Sequence, residues 1–181
     1  MMKKILYILA AVLLLTSCEK DPFQAFLAKG SNSPSGNMIW DIGPVELIIE
    51  VKDKQGNNLF DESTPGNWLE TPFLATFDGK EFRWPASLPW AGTKAYLATL
   101  RGFYIYPQWY LQTDEVYLRF GELDATKKWD TDLCIFWPDG SRDVIRVQHA
   151  FRWNETGYPE SYTGYKVNGM PVEGYIIHIT K

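Results

Sequence analysis

The sequence predicts an all-β protein built as a single antiparallel β-sandwich, immunoglobulin-like or of a related type. Several segments alternate apolar and polar residues with a period of two, which is the pattern of a strand buried on one face. Short turn sequences separate these segments, and none of them combines an amphipathic helical period with helix caps. A small β-barrel is the alternative fold. The number of two-faced strands favours two stacked sheets that cover each other.

The alternation predicts which residues face the core. It is clearest in VELIIEVKD, VYLRF, DVIRVQHAFRW and YIIHIT. The predicted inward residues of these segments are Val45, Leu47, Ile49, Val51, Val116, Leu118, Phe120, Ile145, Val147, Phe151, Trp153, Tyr175, Ile177 and Ile179. A sandwich without disulfides also needs large side chains between its sheets. Further aromatic residues expected there are Phe82, Trp84, Phe103, Phe136 and Trp137.

Three short sequences predict the tight turns that antiparallel strands require. Asp78-Gly79 separates FLATF from KEFRW, and Asn168-Gly169 follows YKV. Both pairs adopt positive φ at low cost, which a two-residue hairpin turn needs. Residues 138–141, with the sequence PDGS, predict a further turn after CIFW.

The first 17 residues predict a signal peptide. Lys3 and Lys4 provide positive charge, residues 5–15 are apolar, and LTSC ends the segment. The apolar run is too short to span a membrane, which takes about 20 residues. LTSC resembles a bacterial lipobox, in which the cysteine is lipidated and becomes the first residue after cleavage. We therefore expect Cys18 to carry acyl chains and to bind the membrane through them, because several chains hold a protein firmly.

The rest of the chain divides into a tether and one domain. Residues 18–39 include EKDPFQAFLAKGSNSPSGN, which mixes charge, Gly, Pro and Ser without a sustained apolar period, and they predict a lipidated N-terminus with a flexible tether. Residues 40–181 have the length of one β-sandwich domain with its own core. Cys134 is the only cysteine besides Cys18, so we expect no disulfide and interpret Cys134 as a small buried side chain.

The charge balance excludes one class of partner. The chain carries a formal net charge of −4, and removal of residues 1–17 takes two lysines with it and brings the net charge to −6. Nucleic-acid binding requires a concentrated basic face. No nucleic-acid partner is therefore expected.

Several segments together carry a family resemblance. They are the lipobox, VELIIEVKDKQGNNLFDESTPGNW, the FDGKEFRW hairpin, FGELD followed by CIFWPDGSRDVIRV, and the VNG hairpin. In this combination the chain resembles the small uncharacterised surface lipoproteins of Bacteroidota. The resemblance implies a lipid anchor at the outer membrane with exposure at the cell surface, the periplasmic face being the alternative. It implies no catalytic residues.

Candidates for catalysis and metal binding are few. His149 alternates with core residues and His178 lies on a solvated strand face, and neither belongs to a catalytic motif. We therefore predict no enzyme and no cofactor. The carboxylates of Asp124, Asp130 and Asp132 are a weak candidate calcium site, since calcium prefers oxygen ligands, but the lysines between them are typical of a solvated loop. No metal is predicted.

Aromatic content is the main indication of function. The chain has 8 Trp, 10 Tyr and 10 Phe, and several of them lie beside Pro or Gly in predicted loops. The candidates for an exposed ligand platform are Trp68, Trp90, Trp109, Trp129 and Tyr158. Such side chains bind sugar faces and anchor protein interfaces. The sequence thus predicts a non-catalytic surface module that binds a glycan or an outer-membrane protein. A structural subunit of a pilus or layer is the alternative, and a small hydrolase comes last.

Overall fold

The structure, a computed structural model, describes residues 21–36, 41–85, 100–106 and 115–181. Within these residues two sheets pack against each other and do not close into a barrel, so the predicted all-β sandwich is confirmed. The predicted lipidation site Cys18 and the predicted domain start at residue 40 lie outside the described residues, as do Trp90 and Trp109.

One short helix and ten strands lie in the described residues. In chain order they are α1 (Pro22–Leu27), β1 (Val45–Lys52), β2 (Phe73–Phe77), β3 (Lys80–Trp84), β4 (Gly102–Tyr104), β5 (Leu118–Leu123), β6 (Trp129–Phe136), β7 (Arg142–Trp153), β8 (Pro159–Val167), β9 (Met170–Pro171) and β10 (Ile176–Thr180). The four-stranded sheet has the order β10-β1-β5-β4, and the six-stranded sheet has the order β3-β2-β6-β7-β8-β9. Their pairings are antiparallel except that of β1 with β10, which is parallel.

Period-two alternation builds the core between the sheets. Fully buried inward residues of the predicted set are Leu47, Ile49, Val51, Leu118, Phe120, Ile145, Val147 and Ile177. The predicted hairpin turns are present as well: Asp78 and Gly79 have φ of 49° and 71° between β2 and β3, and Asn168 and Gly169 have φ of 50° and 87° between β8 and β9. Positive φ at both central residues matches the twist of the paired strands.

Several predicted core positions are wrong. Phe136 is 44% exposed because alternation along β6 places it on the outer face, whereas Trp137, just after the strand, turns inward and is 3% exposed. Cys134 shares that outer face and is half-buried rather than buried. Phe151 and Trp153 are also only half-buried, since β7 extends beyond the core at this end.

Residues 21–36 lie on the outer face of the six-stranded sheet, although this stretch was predicted to be part of a flexible tether. Phe23 of α1 is 0% exposed, and its ring centroid lies 5.5 Å from that of Tyr162 in β8. The segment continues with backbone hydrogen bonds from Asn32 N to Trp153 O and from Ser35 N to Gly157 O. The short α1 is too small to cross a bilayer, and no helix in the described part of the chain is long and apolar enough to do so.

The sandwich has two different ends. At the closed end, β6 runs into Trp137, and the Asp143 carboxylate accepts hydrogen bonds from Trp137 Nε1 at 2.7 Å and from Asn168 Nδ2 at 2.7 Å. Lys181 Nζ completes this cluster by pairing with Asp143 and lying 5.3 Å from the Trp137 ring centroid. We call the opposite end the open end. There β1 and β8 begin and β7 reaches its last residues.

Candidate functional site

The open end contains a cleft of about 520 Å³. Its walls are residues 41–46 at the start of β1, Phe151 of β7, the first residues of β8, and residues 174–175 before β10. The strands β7 and β8 are 12 and 9 residues long, whereas β1 and β10 have 8 and 5. The longer strands of the six-stranded sheet therefore extend past β1 and β10 of the four-stranded sheet. The cleft lies between the two sheets at this point.

The uncovered part of β8 presents hydroxyl groups. Ser161 and Thr163 lie on the same face as Tyr165, which is 8% exposed in the core, yet both are exposed because none of the described residues of the four-stranded sheet covers them. Along most of a sandwich strand this inner face carries apolar side chains. Its hydroxyls and its exposure mark this stretch as a surface suited to polar contacts.

Tyr175 forms the outer rim of the cleft. It is 71% exposed and was predicted to point into the core, so that prediction was wrong. The physical reason is Gly174, whose φ of 83° turns the chain one residue before β10 begins at Ile176. Tyr175 therefore lies outside the alternation that buries Ile177, and its ring is free to contact a ligand.

Two carboxylates next to the cleft are held by arginines on the outer faces of their sheets. Glu46 Oε2 lies 2.8 Å from Arg119 Nη1, and Glu46 Oε1 accepts a hydrogen bond of 2.9 Å from Tyr106 Oη. Glu160 pairs with Arg152, and this hydrogen bond holds the pKa of Glu160 below its ordinary value. Each carboxylate is therefore already engaged by an arginine of a neighbouring strand.

The tyrosines around Glu46 remain protonated donors near neutral pH. Burial and then the hydrogen bond to Glu46 raise the pKa of Tyr106 to about 12. Burial, with the nearby Glu46 charge, raises the pKa of Tyr165 to about 12, and Tyr165 Oη lies 3.4 Å from Glu46 O. The Arg119 guanidinium also lies 4.5 Å from the Tyr106 ring centroid, so the outer face of the four-stranded sheet beside the cleft is internally cross-linked.

His149 lies behind Thr163 at the bottom of the cleft. It is 1% exposed, with Nδ1 2.8 Å from Thr163 Oγ1 and Nε2 2.9 Å from Ala125 O. Because a carbonyl only accepts, Nε2 carries the proton and Nδ1 accepts from the Thr163 hydroxyl. Burial lowers the pKa of His149, which keeps the ring neutral. The side chain thus positions Thr163 at the cleft surface.

The predicted aromatic platform is not brought together by the described residues. Trp68 packs on Trp137 at 5.8 Å between ring centroids, at the closed end. Trp129 packs on Phe77 at 5.8 Å and donates from Nε1 to Asp124 O at 2.9 Å, at the other end of β6. Both are half-buried against the core. Of the five candidates, Tyr158 alone is described as exposed, at 49%, in the turn between β7 and β8.

The three candidate calcium ligands are not brought together either. Arg146 lies between two of the three carboxylates, with its Nε 2.8 Å from Asp130 Oδ1 and its Nη1 3.2 Å from Asp132 Oδ1. Asp124 instead accepts hydrogen bonds from the backbone and hydroxyl of Thr126. No group of three or more metal-ligating side chains is found among the described residues.

Sequence reasoning missed most of the cleft. The cleft requires residues 41–46 to meet residues 159–165 and 174–175, which come much later in the chain. One local signal was available, since glycine directly before Tyr175 interrupts the strand pattern. Comparisons of the chain with protein-family models, curated proteins and solved structures give no match, so the site has to be interpreted from its own chemistry.

Proposed function

We propose that this protein is a lipid-anchored, non-catalytic binding module of the bacterial cell surface, and that it binds a neutral glycan in the cleft at the open end. The observation that carries the proposal is the pairing of an exposed aromatic ring, Tyr175, with the exposed hydroxyls of Ser161 and Thr163 in one cleft. The proposed location is the outer membrane, through acyl chains on Cys18.

A sugar ring fits this combination of groups. Its C–H face is apolar and stacks on an aromatic ring, while its rim carries several hydroxyl donors. The Ser161 hydroxyl can donate and accept, and the Thr163 hydroxyl, whose proton goes to His149 Nδ1, can accept. The described lining of the cleft includes Asp41 and contains no Lys or Arg to pair with an anion, so the glycan we propose lacks uronic or sialic acids.

The arrangement of His149 favours binding over hydrolysis. A general base must reach the proton it abstracts. Both ring nitrogens of His149 are engaged by Thr163 and Ala125, and the ring is buried behind the cleft wall. We therefore assign His149 a positioning role.

A structural subunit of a surface assembly remains the second candidate. Its supporting observation is that β10 is the edge strand of the four-stranded sheet, as an exchangeable strand would be. However, Ile177 and Ile179 are 0% and 5% exposed, and Lys181, directly after β10, pairs with buried Asp143. These contacts favour a strand that stays in its own domain.

A glycan array probed with the protein from residue 18 onward tests the proposal. We expect binding to neutral oligosaccharides, and we expect Tyr175→Ala to weaken it about tenfold or more, since an exposed aromatic anchor dominates small interfaces. Met170→Ala is the matched control, because Met170 is equally exposed at 69% but lies in β9 outside the cleft. Equal binding by wild type and Tyr175→Ala, or binding to no glycan, would overturn the proposal.

A further inference from the structure

The contact between α1 and the six-stranded sheet fixes how the domain sits on its anchor. Asp21 Oδ2 lies 3.3 Å from Lys166 Nζ of β8, and Asp21 caps α1 by accepting from Phe23 N at 2.9 Å. The Phe23 ring packs on Tyr162, and Arg152 lies 4.8 Å from the Phe26 ring centroid. The chain is thus attached to the outer face of β7 and β8 from residue 21 onward.

Little chain separates this attachment from the anchor. Two residues, Glu19 and Lys20, stand between Cys18 and Asp21. Three residue steps of fully extended chain span at most about 11 Å. Chain length would therefore hold the acyl chains proposed on Cys18 close to Asp21 and the N-terminal end of α1.

We infer that the outer face of the six-stranded sheet around α1 is the surface that contacts the lipid headgroups. This inference rests on the lipid anchor of the proposed function. The exposed side chains beside α1 fit this role, since Lys29 and Lys128 offer cations to lipid phosphates and Lys128 Nζ lies 5.6 Å from the Phe23 ring centroid.

The orientation has a consequence for the opposite side of the molecule. The four-stranded sheet lies across the core, about 10 Å from the six-stranded one. Its outer face, which carries the exposed Thr180 of β10, then points away from the bilayer. A long flexible tether would impose no such orientation.

Fluorescence quenching on vesicles tests the orientation. Lipidated protein with Cys134→Ser is labelled at Gln24→Cys, in exposed α1, or at Thr180→Cys, the matched exposed position on the other sheet. Each is reconstituted in phosphatidylglycerol and phosphatidylcholine vesicles that contain a headgroup nitroxide lipid. We expect loss of fluorescence at position 24 and none at position 180.

A linker insertion provides the control for the short attachment. About 20 Gly-Ser residues between Lys20 and Asp21 give an end-to-end distance of about 25 Å, and we expect them to abolish the difference between the two labels. Equal quenching at both positions of the uninserted, acylated protein would overturn the orientation alone. A mass spectrum without acyl chains on Cys18 would overturn the anchor and the orientation together.

Discussion

The two ends of the sandwich are formed by the same strands but differ in how their polar groups are satisfied. At the closed end, Asp143 and Lys181 are nearly buried and are bound to each other, to Trp137 and to Asn168. At the open end, Ser161, Thr163 and Tyr175 face solvent. Buried polar groups that pair with one another thus stabilise the fold, while exposed polar groups on an inner face remain available to bind a ligand.

The largest expected effect is at the closed end. Asp143→Ala leaves the Lys181 ammonium, 8% exposed, without its counter-ion, and leaves the Trp137 and Asn168 donors unpaired. We expect a loss of about 3 to 5 kcal/mol in the free energy of unfolding, measured by urea denaturation. Glu81→Gln is the control, since the exposed pair with Arg83 should contribute less than about 1 kcal/mol. Similar losses in the two variants would contradict the structural role of the closed end.

A smaller effect is expected beside the open end, where residues 21–36 cover the outer face. Phe23→Ala should cost about 1.5 to 3 kcal/mol, the transfer free energy of one buried aromatic side chain, because the segment can detach without leaving a cavity in the core. Faster tryptic cleavage at the exposed Lys29 would report the detachment. The control, Gln24→Ala, alters an exposed position of the same helix, and unchanged cleavage in Phe23→Ala would mean that the aromatic contact does not hold the segment.

The smallest expected effect on stability is the pH dependence that His149, behind the cleft, adds to the free energy of unfolding. Burial lowers the pKa of His149 in the folded state, whereas the unfolded chain has a pKa of about 6.5. The unfolded state therefore binds the proton first as the pH falls. The contribution of the neutral His149 ring to the free energy of unfolding is complete above about pH 6.5. It is lost as the pH falls through that value toward the pKa of the folded state. Unfolding measurements between pH 7.5 and about 5.5 should show this decline in wild type and a flatter profile in His149→Gln. Parallel profiles would contradict it.

Local patterns predicted the parts of the fold that depend on neighbouring residues. Alternation in VELIIEVKD and the turns at Asp78-Gly79 and Asn168-Gly169 gave the strands and hairpins, because both depend on backbone geometry within a few residues. Alternation failed just before a strand began, at Tyr175, which is exposed although it shares the parity of Ile177.

The candidate site depends on contacts that no local pattern contains. Parallel pairing of Ile48 with Ile176 brings the start of β1 beside residues 174–175, although these segments lie at opposite ends of the domain. The polar, Gly- and Ser-containing stretch before the domain likewise gave no sign that Phe23 is buried, because its burial depends on distant residues such as Tyr162 of β8 and Lys128.

The most direct test of the account is a comparison of both ends by NMR. Backbone amide shifts of ¹⁵N-labelled protein would be followed during titration with the neutral oligosaccharide that binds most strongly on the array. We predict perturbations at Ser161, Thr163 and Tyr175, and unchanged shifts at Ser141 and Asn168 of the closed end. Perturbations concentrated at the closed end, or absent at the open end, would contradict the assignment of the cleft as the binding site.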